Sequence, residues 1–302
     1  MTSNNQDLVI GLDVGGTEIK AGLLKGSEIV SARRWPTERE KGPQHAVDQV
    51  LLAAKSMHDE FPNATAVGVV VPGVVNTKTG VAEYSENIGW RNVPFVKLVN
   101  EMTKLPVGFG HDVRAGGVAE TIYGAGKGFA NSFFMPIGTG IAGAIVLNGE
   151  LFDDPYAGEI GHLDVKSGYM CACGVTGCLE SISTGPSIVR VYNEKSDSKL
   201  ESSFQVLEAA KEGNMAAQEV WSAAVESIAF ALNAYINILA PEVIILGGGV
   251  SKAGDALLEP IEKYLDGRIT FQRRPKIVIA ELGDHAGMIG SGIFGLRAKN
   301  DH

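Results

Sequence analysis

Short unbroken apolar runs alternate along this chain with stretches whose apolar positions recur at helical spacing. Leu8–Leu12 is the first run; it breaks at Asp13-Val14-Gly15-Gly16-Thr17, and a second run follows from Ile19 to Leu24. The pair predicts a β-hairpin with a glycine tip. Ala46, Val47, Val50, Leu51 and Ala54 give residues 44–60 a helical face. Ala66–Val71 reads as a buried strand ending at Pro72-Gly73. Pro106–Phe109 reads as another, with His111-Asp112 at its end. Strands alternating with helices in this way predict an α/β architecture.

The opening pattern recurs in the middle of the chain. Phe133–Ile137 leads to Gly138-Thr139-Gly140, Ile141–Leu147 runs back, and Asn148-Gly149 turns the next corner. The recurrence points to two related halves, although two unrelated hairpins would read the same. Val220, Ala224, Ile228 and Leu232 then recur every four residues, with Trp221, Tyr235, Ile236 and Leu239 widening the stripe. They predict a long buried helix over 214–240, stopped by Pro241. Val243–Leu246 is a strand opening into Gly247-Gly248-Gly249; a last strand is expected over 276–281, then a glycine-spaced helix to the C-terminus. No low-complexity segment or long linker interrupts this order.

Composition narrows the function. The chain has 302 residues, 45% of them hydrophobic, enough for about two domains of ~150 residues each with sizeable cores. A net charge of −9 disfavours general binding to nucleic acid or anionic membranes, which needs a basic footprint. It leaves a phosphate-bearing substrate open, because backbone N–H groups hold phosphates without net positive charge. The start, Met1–Asp7, is polar with no signal-peptide pattern, and no unbroken apolar run approaches the ~20 residues that span a bilayer. The expected location is the cytoplasm.

All three cysteines lie within eight positions, as Cys171-Ala172-Cys173-Gly174-Val175-Thr176-Gly177-Cys178, and His162 stands nine residues before the first. Three thiolates and an imidazole complete a tetrahedral zinc shell with no open position, which marks a structural metal. The alternative, buried apolar thiols, fits scattered cysteines better than this cluster. Glu159 and Glu180 flank the cluster, are not needed as ligands, and are free to face something else.

The glycine turns carry the rest of the chemistry. Asp13 with Gly15, Gly16 and Thr17 places a carboxylate, two unhindered amides and a hydroxyl on one turn. Amides and hydroxyl suit phosphate oxygens, and the carboxylate suits Mg²⁺ held through water. Gly138, Thr139 and Gly140 repeat the grip, and Gly247-Gly248-Gly249 adds a third close-approach surface after a strand. Each alone is a tight turn by default; three at strand ends argue for phosphate. Asp112 is the best candidate for a base that takes a hydroxyl proton during phosphoryl transfer. Its alternative role is capping a helix that begins near Ala115.

These segments occur in an order that resembles the ROK family of sugar kinases and repressors: Asp13–Thr17, Asn87–Trp90, His111–Arg114, Gly138–Gly140, Glu159–His162, Cys171–Glu180 and Gly247–Gly249, within a match from Leu8 to about Gly295. The resemblance implies an actin-like ATPase (ribonuclease H-like) α/β fold, with two lobes around a central cleft where sugar and ATP meet. Residues 1–112 would form the small lobe, completed by a C-terminal helix over about 290–302; residues 113–289 would form the large lobe with the zinc motif. It implies Asp112 as the base for a sugar 6-hydroxyl, and Glu159, His162 and Glu180 as ligands of sugar hydroxyls, His162 also binding zinc with Cys171, Cys173 and Cys178. Asn87 and the loop at Gly73 match sugar contacts. Asp13, Gly15, Gly16, Thr17, Gly138, Thr139, Gly140, Gly247 and Gly248 match the nucleotide side. Two departures stand out. His111 replaces the family's usual sugar-touching Asn, with Val113-Arg114 in place of small residues after the base. Glu18 stands where Lys is frequent, leaving Lys20 as the nearest cation.

The implied function is ATP-dependent phosphorylation of a hexose at its 6-hydroxyl, first of all glucose, with ATP, Mg²⁺ and structural Zn²⁺, in a homodimer. N-acetylmannosamine is the rival substrate, favoured less because Glu159 is not the His of enteric members of that group; polyphosphate is a donor in some relatives. Repressors of the family carry a DNA-binding segment ahead of the first glycine turn. Twelve residues precede Asp13, so a sugar-responsive regulator without that segment is the weaker reading.

Overall fold

The structure is a computed structural model that describes residues 7–301; the polar stretch Met1–Gln6 and His302, at the end of the expected C-terminal helix, lie outside the described residues. The chain divides into two units, one running to Gly124 and taking in Leu151–Ala157 and the chain from Asp284 on, the other made of Ala125–Glu150 and Gly158–Gly283. Both are α/β.

In the first unit the predicted hairpin is β1 (Leu8–Val14) and β2 (Glu18–Lys25), followed by β3 (Glu28–Pro36), α1 (Pro43–Glu60) and β4 (Ala66–Val71). A small sheet of β5 (Val74–Asn76), β6 (Val81–Tyr84) and β7 (Arg91–Val93) comes next, then α2 (Phe95–Thr103), β8 (Val107–His111) and α3 (Asp112–Tyr123). The main sheet has the order β3-β2-β1-β4-β8, with β1, β4 and β8 parallel. All six residues of β4 are buried, as a strand covered on both faces requires. The buried stripe of α1 (Ala46, Val47, Val50, Ala53, Ala54, Met57) covers one face.

The C-terminal helix, Ala286–Asn300, covers the other face by a different device. Gly22, Gly11, Gly68 and Gly108 stand in register across β2, β1, β4 and β8. A methyl group on Gly68 would overlap the Ser291 carbonyl, and one on Gly108 the Phe294 carbonyl. The helix backbone lies directly on this glycine row. On its far side Gly290 lies against the α3 backbone at Ala115. That packing draws residues 113–124 into the first unit, so the division falls at Gly124 rather than at residue 112.

The second unit contains β9 (Ser132–Pro136), β10 (Ala144–Leu147), β11 (Glu150–Leu151), α4 (Glu180–Ser183), α5 (Gly185–Lys195), α6 (Ser203–Lys211), α7 (Met215–Leu239), β12 (Val243–Gly247), α8 (Gly248–Ser251), α9 (Asp255–Asp266) and β13 (Lys276–Ile279). Its sheet order is β11-β10-β9-β12-β13, with the β9–β10 pair antiparallel and β9, β12 and β13 parallel. Strand for strand this repeats the order of the first sheet. The recurrence of strand, glycine turn and strand is therefore a repeat of topology. The predicted long helix is α7: Asn214 caps it by accepting from the Ala217 N–H, and Ala240, in the left-handed region at φ 45°, ends it before Pro241. By length and composition α7 is apolar enough to cross a bilayer, but 44% of that window is buried in the fold. Tyr235 on its stripe meets Phe133 of β9 at 5.1 Å between ring centroids.

Candidate active site

Two carboxylates stand at the carboxyl ends of parallel strands in the first unit, the usual ligand side of such sheets. Asp13 lies at the end of β1, paired in register with Lys20 of β2. The turn between them is closed by the Gly15 N–H donating to the Glu18 carbonyl at 2.8 Å. Thr37 Oγ1 steadies it by donating to the Gly15 carbonyl at 2.7 Å. Burial, and next the charge of Asp112, push Asp13 up to about 7 against the pull of Lys20. Lys20 itself donates to the Asp284 carbonyl at 3.1 Å.

Asp112 follows β8 directly. The helix begins at Asp112, not near Ala115, and its N-cap is His111, whose Nδ1 accepts from the Val113 N–H at 3.2 Å. Asp112 is thus the first helical residue and not the cap, although its Oδ1 takes the same N–H at 2.7 Å and lies 3.0 Å from His111 Nδ1. Burial raises its pKa to about 6, while the Val113 N–H and the Arg114 charge hold it down. His111 therefore fixes the start of the helix that presents Asp112.

Gly73 follows β4, the strand between β1 and β8 in the sheet. Its φ of 100° and the Tyr84 carbonyl packed against it leave no room for a side chain. Asn87 sits on the turn between β6 and β7, exposed, with its carbonyl accepting from Arg39 Nη1 at 3.1 Å. A methyl group on Gly16 would stand 3.3 Å from that same nitrogen. Arg39 is thus a cation at the first glycine turn that motif reading passed over in favour of Lys20, because it is distant in sequence.

The second unit brings its two glycine turns together. The Ile137 N–H donates to the Gly247 carbonyl at 2.9 Å, and the Val250 N–H to the Ile137 carbonyl at 3.1 Å. Gly248, at φ 77°, packs on Ile137. Gly138-Thr139-Gly140 is closed by the Gly138 N–H donating to the Gly140 carbonyl at 3.0 Å. Beside Gly249 opens a cavity of about 170 Å³, lined among others by Ser203, Phe204, Leu207, Trp221 and Val250. The sequence pattern assigns Trp221 to the core stripe, and its indole N–H does donate to the Ala256 carbonyl at 3.1 Å. Its role as a cavity wall depends on α6, which left only a Ser202-x-x-Gln205 capping box as a signal.

The four predicted metal ligands meet. One donor atom from each of His162, Cys171, Cys173 and Cys178 lies within 4.8 Å of the others, and all three cysteines are free. His162 Nδ1 is 3.8 Å from Cys171 Sγ, and the Cys173 and Cys178 sulfurs are 3.7 Å apart. A tetrahedron with zinc–sulfur bonds of 2.3 Å has an edge of about 3.8 Å, so the set fits zinc. Burial and the neighbouring thiols push Cys178 up to about 12, while the Val175 backbone hydrogen bond draws Cys173 down. His162 turns its other nitrogen, Nε2, toward Glu159 Oε2 at 3.8 Å. Metal on Nδ1 would keep the ring proton on Nε2.

The cluster is continuous with Glu180. Leu179 N–H donates to the Leu163 carbonyl at 3.0 Å, and Glu180 Oε1 accepts from the Ile141 N–H at 2.5 Å, just past the second glycine turn. Gly161 packs against the Glu180 side chain. Tyr235 Oη donates to the Ile160 carbonyl at 2.7 Å, tying the Glu159–His162 turn to α7. Glu159, His162, Glu180 and Gly138–Gly140 thus form one hydrogen-bonded and packed neighbourhood.

The ROK family model matches residues 9–297 of this sequence. The chain belongs to the ROK family. A glucokinase from Halalkalibacterium halodurans is 36% identical, over 94% of this chain and 93% of that protein. The crystal structure of a ROK hexokinase from Thermus thermophilus superposes with a TM-score of 0.82 at 30% identity, covering 98% of this chain and all of that one. A ROK glucokinase from Streptomyces griseus, in complex with glucose and AMPPNP, superposes with a TM-score of 0.80 at 28% identity, covering 96% and 99%. The ROK fold expected from the motifs, an actin-like α/β architecture, is the one observed.

Proposed function

We propose that this ROK protein is a glucokinase, transferring the γ-phosphoryl group of ATP to the 6-hydroxyl of glucose. The observation that carries the reading is Asp112: a half-buried carboxylate at a strand end, held by the Val113 N–H and raised to about 6. Such a group is ionised at neutral pH and basic enough to take a proton. As the sugar oxygen bonds to phosphorus and the bond to the ADP oxygen breaks, the hydroxyl proton passes to Asp112. Little else is demanded beyond positioning and neutralising charge.

Asp13 is the residue we assign to Mg²⁺, whose charge would offset the phosphates. Gly15, Gly16, Thr17, Gly138, Thr139, Gly140, Gly247 and Gly248 are assigned to the nucleotide, Gly15 and Gly138 by closing their turns with their own N–H groups and the others through backbone N–H groups and hydroxyls, with Lys20 nearby. The cavity beside Gly249 suits an apolar base. Glu159, His162 and Glu180 are assigned to sugar hydroxyls, with Gly73, Asn87 and His111 as further sugar contacts. Zn²⁺ on His162, Cys171, Cys173 and Cys178 would do no chemistry; it would hold His162 and Glu180 in place. Three free thiols favour a reducing compartment, the cytoplasm. Phe230 and Ile238 of α7, exposed at 45% and 75%, favour a homodimer, which sedimentation would test.

A coupled ADP-release assay with glucose, mannose, N-acetylglucosamine and N-acetylmannosamine tests the substrate. Glucose with ATP is expected to give the highest kcat/KM. A preference for N-acetylmannosamine would move the assignment to that sugar, sugar phosphate formed only with polyphosphate would move the donor, and no sugar phosphate with either donor would overturn the kinase reading.

A further inference from the structure

Arg114 is 2% exposed, an expensive place for a guanidinium unless it is anchored. Its anchor is the Leu151–Ala157 segment, which leaves the second unit to pack in the first. Nη1 donates to the Asp154 carbonyl, and Nε lies 3.5 Å from Asp153 Oδ1. Asp153 is held in turn: its Oδ2 accepts from Thr77 Oγ1 at 2.7 Å, just beyond β5 and the Gly73 loop. The clamp thus ties the start of α3 to two other segments of the unit.

Arg114 stands two positions after Asp112. On a helix that spacing sends the two side chains to different sides, so no direct ion pair is implied. What lies between them is the peptide of Val113, whose N–H holds Asp112 Oδ1. Asp112 is faced by His111 from its own strand end and by Asp13 from β1, with Lys20 of β2 beyond Asp13. Burial favours the protonated form of Asp112, which is useless as a base. The fixed cation opposing this from the start of α3 is Arg114.

We infer that Arg114, clamped by Asp153 and the Asp154 carbonyl, is a positioning residue that sets the aim of Asp112 and holds a fixed positive charge at the start of its helix. The inference rests on the assignment of Asp112 as the base. It also gives a purpose to the departure from small residues at Val113-Arg114: the long side chain recruits the Leu151–Ala157 segment to brace the helix start.

Carbon-13 labelling of aspartate carboxyls in the full chain, with Asp112 identified by the signal lost in Asp112→Asn, reads its titration without any substrate. Arg114→Met should move the Asp112 midpoint upward by about one unit, and the acid limb of kcat should move with it. Arg114→Lys, which keeps the charge and loses the planar fork, should leave the midpoint in place and lower kcat about tenfold with glucose KM little changed. A folded Arg114→Met protein with an unmoved midpoint would overturn the inference. Should that variant not fold, Arg114→Lys with wild-type kcat would overturn it. Absence of any hexokinase activity in wild type would instead refute the kinase reading, while the carboxyl titration still decides the role of Arg114.

Discussion

In the first unit the turn after the opening strand carries a carboxylate, Asp13, and a second carboxylate, Asp112, ends a strand two places away in the sheet. In the second unit the corresponding turn, Gly138-Thr139-Gly140, has no acid of its own. Its acid comes from behind, where Glu180 takes the Ile141 N–H. The two sheets have the same strand order, so topology alone does not separate them. The difference lies in what each unit does with charge. The first holds two half-buried carboxylates, both raised chiefly by burial, with the charge of Asp112 adding to the rise at Asp13, which poises a base. The second spends its acids and thiols on fixing positions. The base is assigned to one copy of the topology and the zinc-braced sugar contacts to the other, while both supply contacts to the nucleotide.

The largest effect is expected where that division is sharpest. Asp112→Asn should lower kcat by about 10³-fold or more while glucose binding, followed by calorimetry, stays near wild type. Near-normal turnover in that variant would remove the base from the first unit. Gly68→Ala should be the most damaging small change to stability, by about 3 kcal/mol or more, because the added methyl meets the Ser291 backbone carbonyl, which cannot swing aside. Gly138→Ala is the control in the other unit, in the turn after β9: nothing lies within 4 Å of a methyl group there, so denaturant unfolding should move by less than about 0.5 kcal/mol.

Most of the second unit's site is legible in the sequence, and the reason is local. Cys171, Cys173, Cys178 and His162 are close along the chain, so their spacing alone predicts their meeting; the same holds for Glu180 two residues after Cys178. The strands and the α7 stripe are legible by period. The glycine row is not, because Gly11, Gly68 and Gly108 each read as an ordinary weak spot in a strand until the register aligns them under a helix from the other end of the chain. Arg114 and Asp154 are forty positions apart, and only the return of Leu151–Ala157 to the first unit makes Arg114 a neighbour of Asp153 and Asp154. The start of α3 is hidden for a different reason: His is a poor N-cap by type, yet its ring nitrogen accepts the Val113 N–H here, sharing it with Asp112.

Removal of metal tests the recognition half of the comparison. Metal analysis should find about one zinc per chain, and Cys178→Ala should abolish it. Glucose KM should then rise about 10–100-fold, as for lost supports of metal sites, with the kcat of saturated enzyme falling much less. A loss confined to kcat would mean that the cluster serves the chemistry, and a metal-free, fully stable protein would refute the structural site.

The mildest prediction concerns the cost of poising two acids together. Asp13 is raised to about 7 and Asp112 to about 6, both chiefly by burial, against about 3.9 for an unfolded aspartate. Between about pH 4 and 7 the folded chain therefore binds more protons than the unfolded one, so stability falls as pH rises through that range. This is the reverse of a salt-bridged aspartate, whose contribution is lost on acidification. Asp13→Asn removes one of the two half-buried charges, so at pH 7.5 it should raise the melting temperature by a few degrees while cutting kcat, and at pH 5 the gain should largely vanish. Mg²⁺ with nucleotide should stabilise wild type more than the variant, because the acid that costs stability in the free protein is the one assigned to the metal. A pH-independent gain would mean that Asp13 destabilises through shape, not charge, and would leave Asp112 without its partner acid.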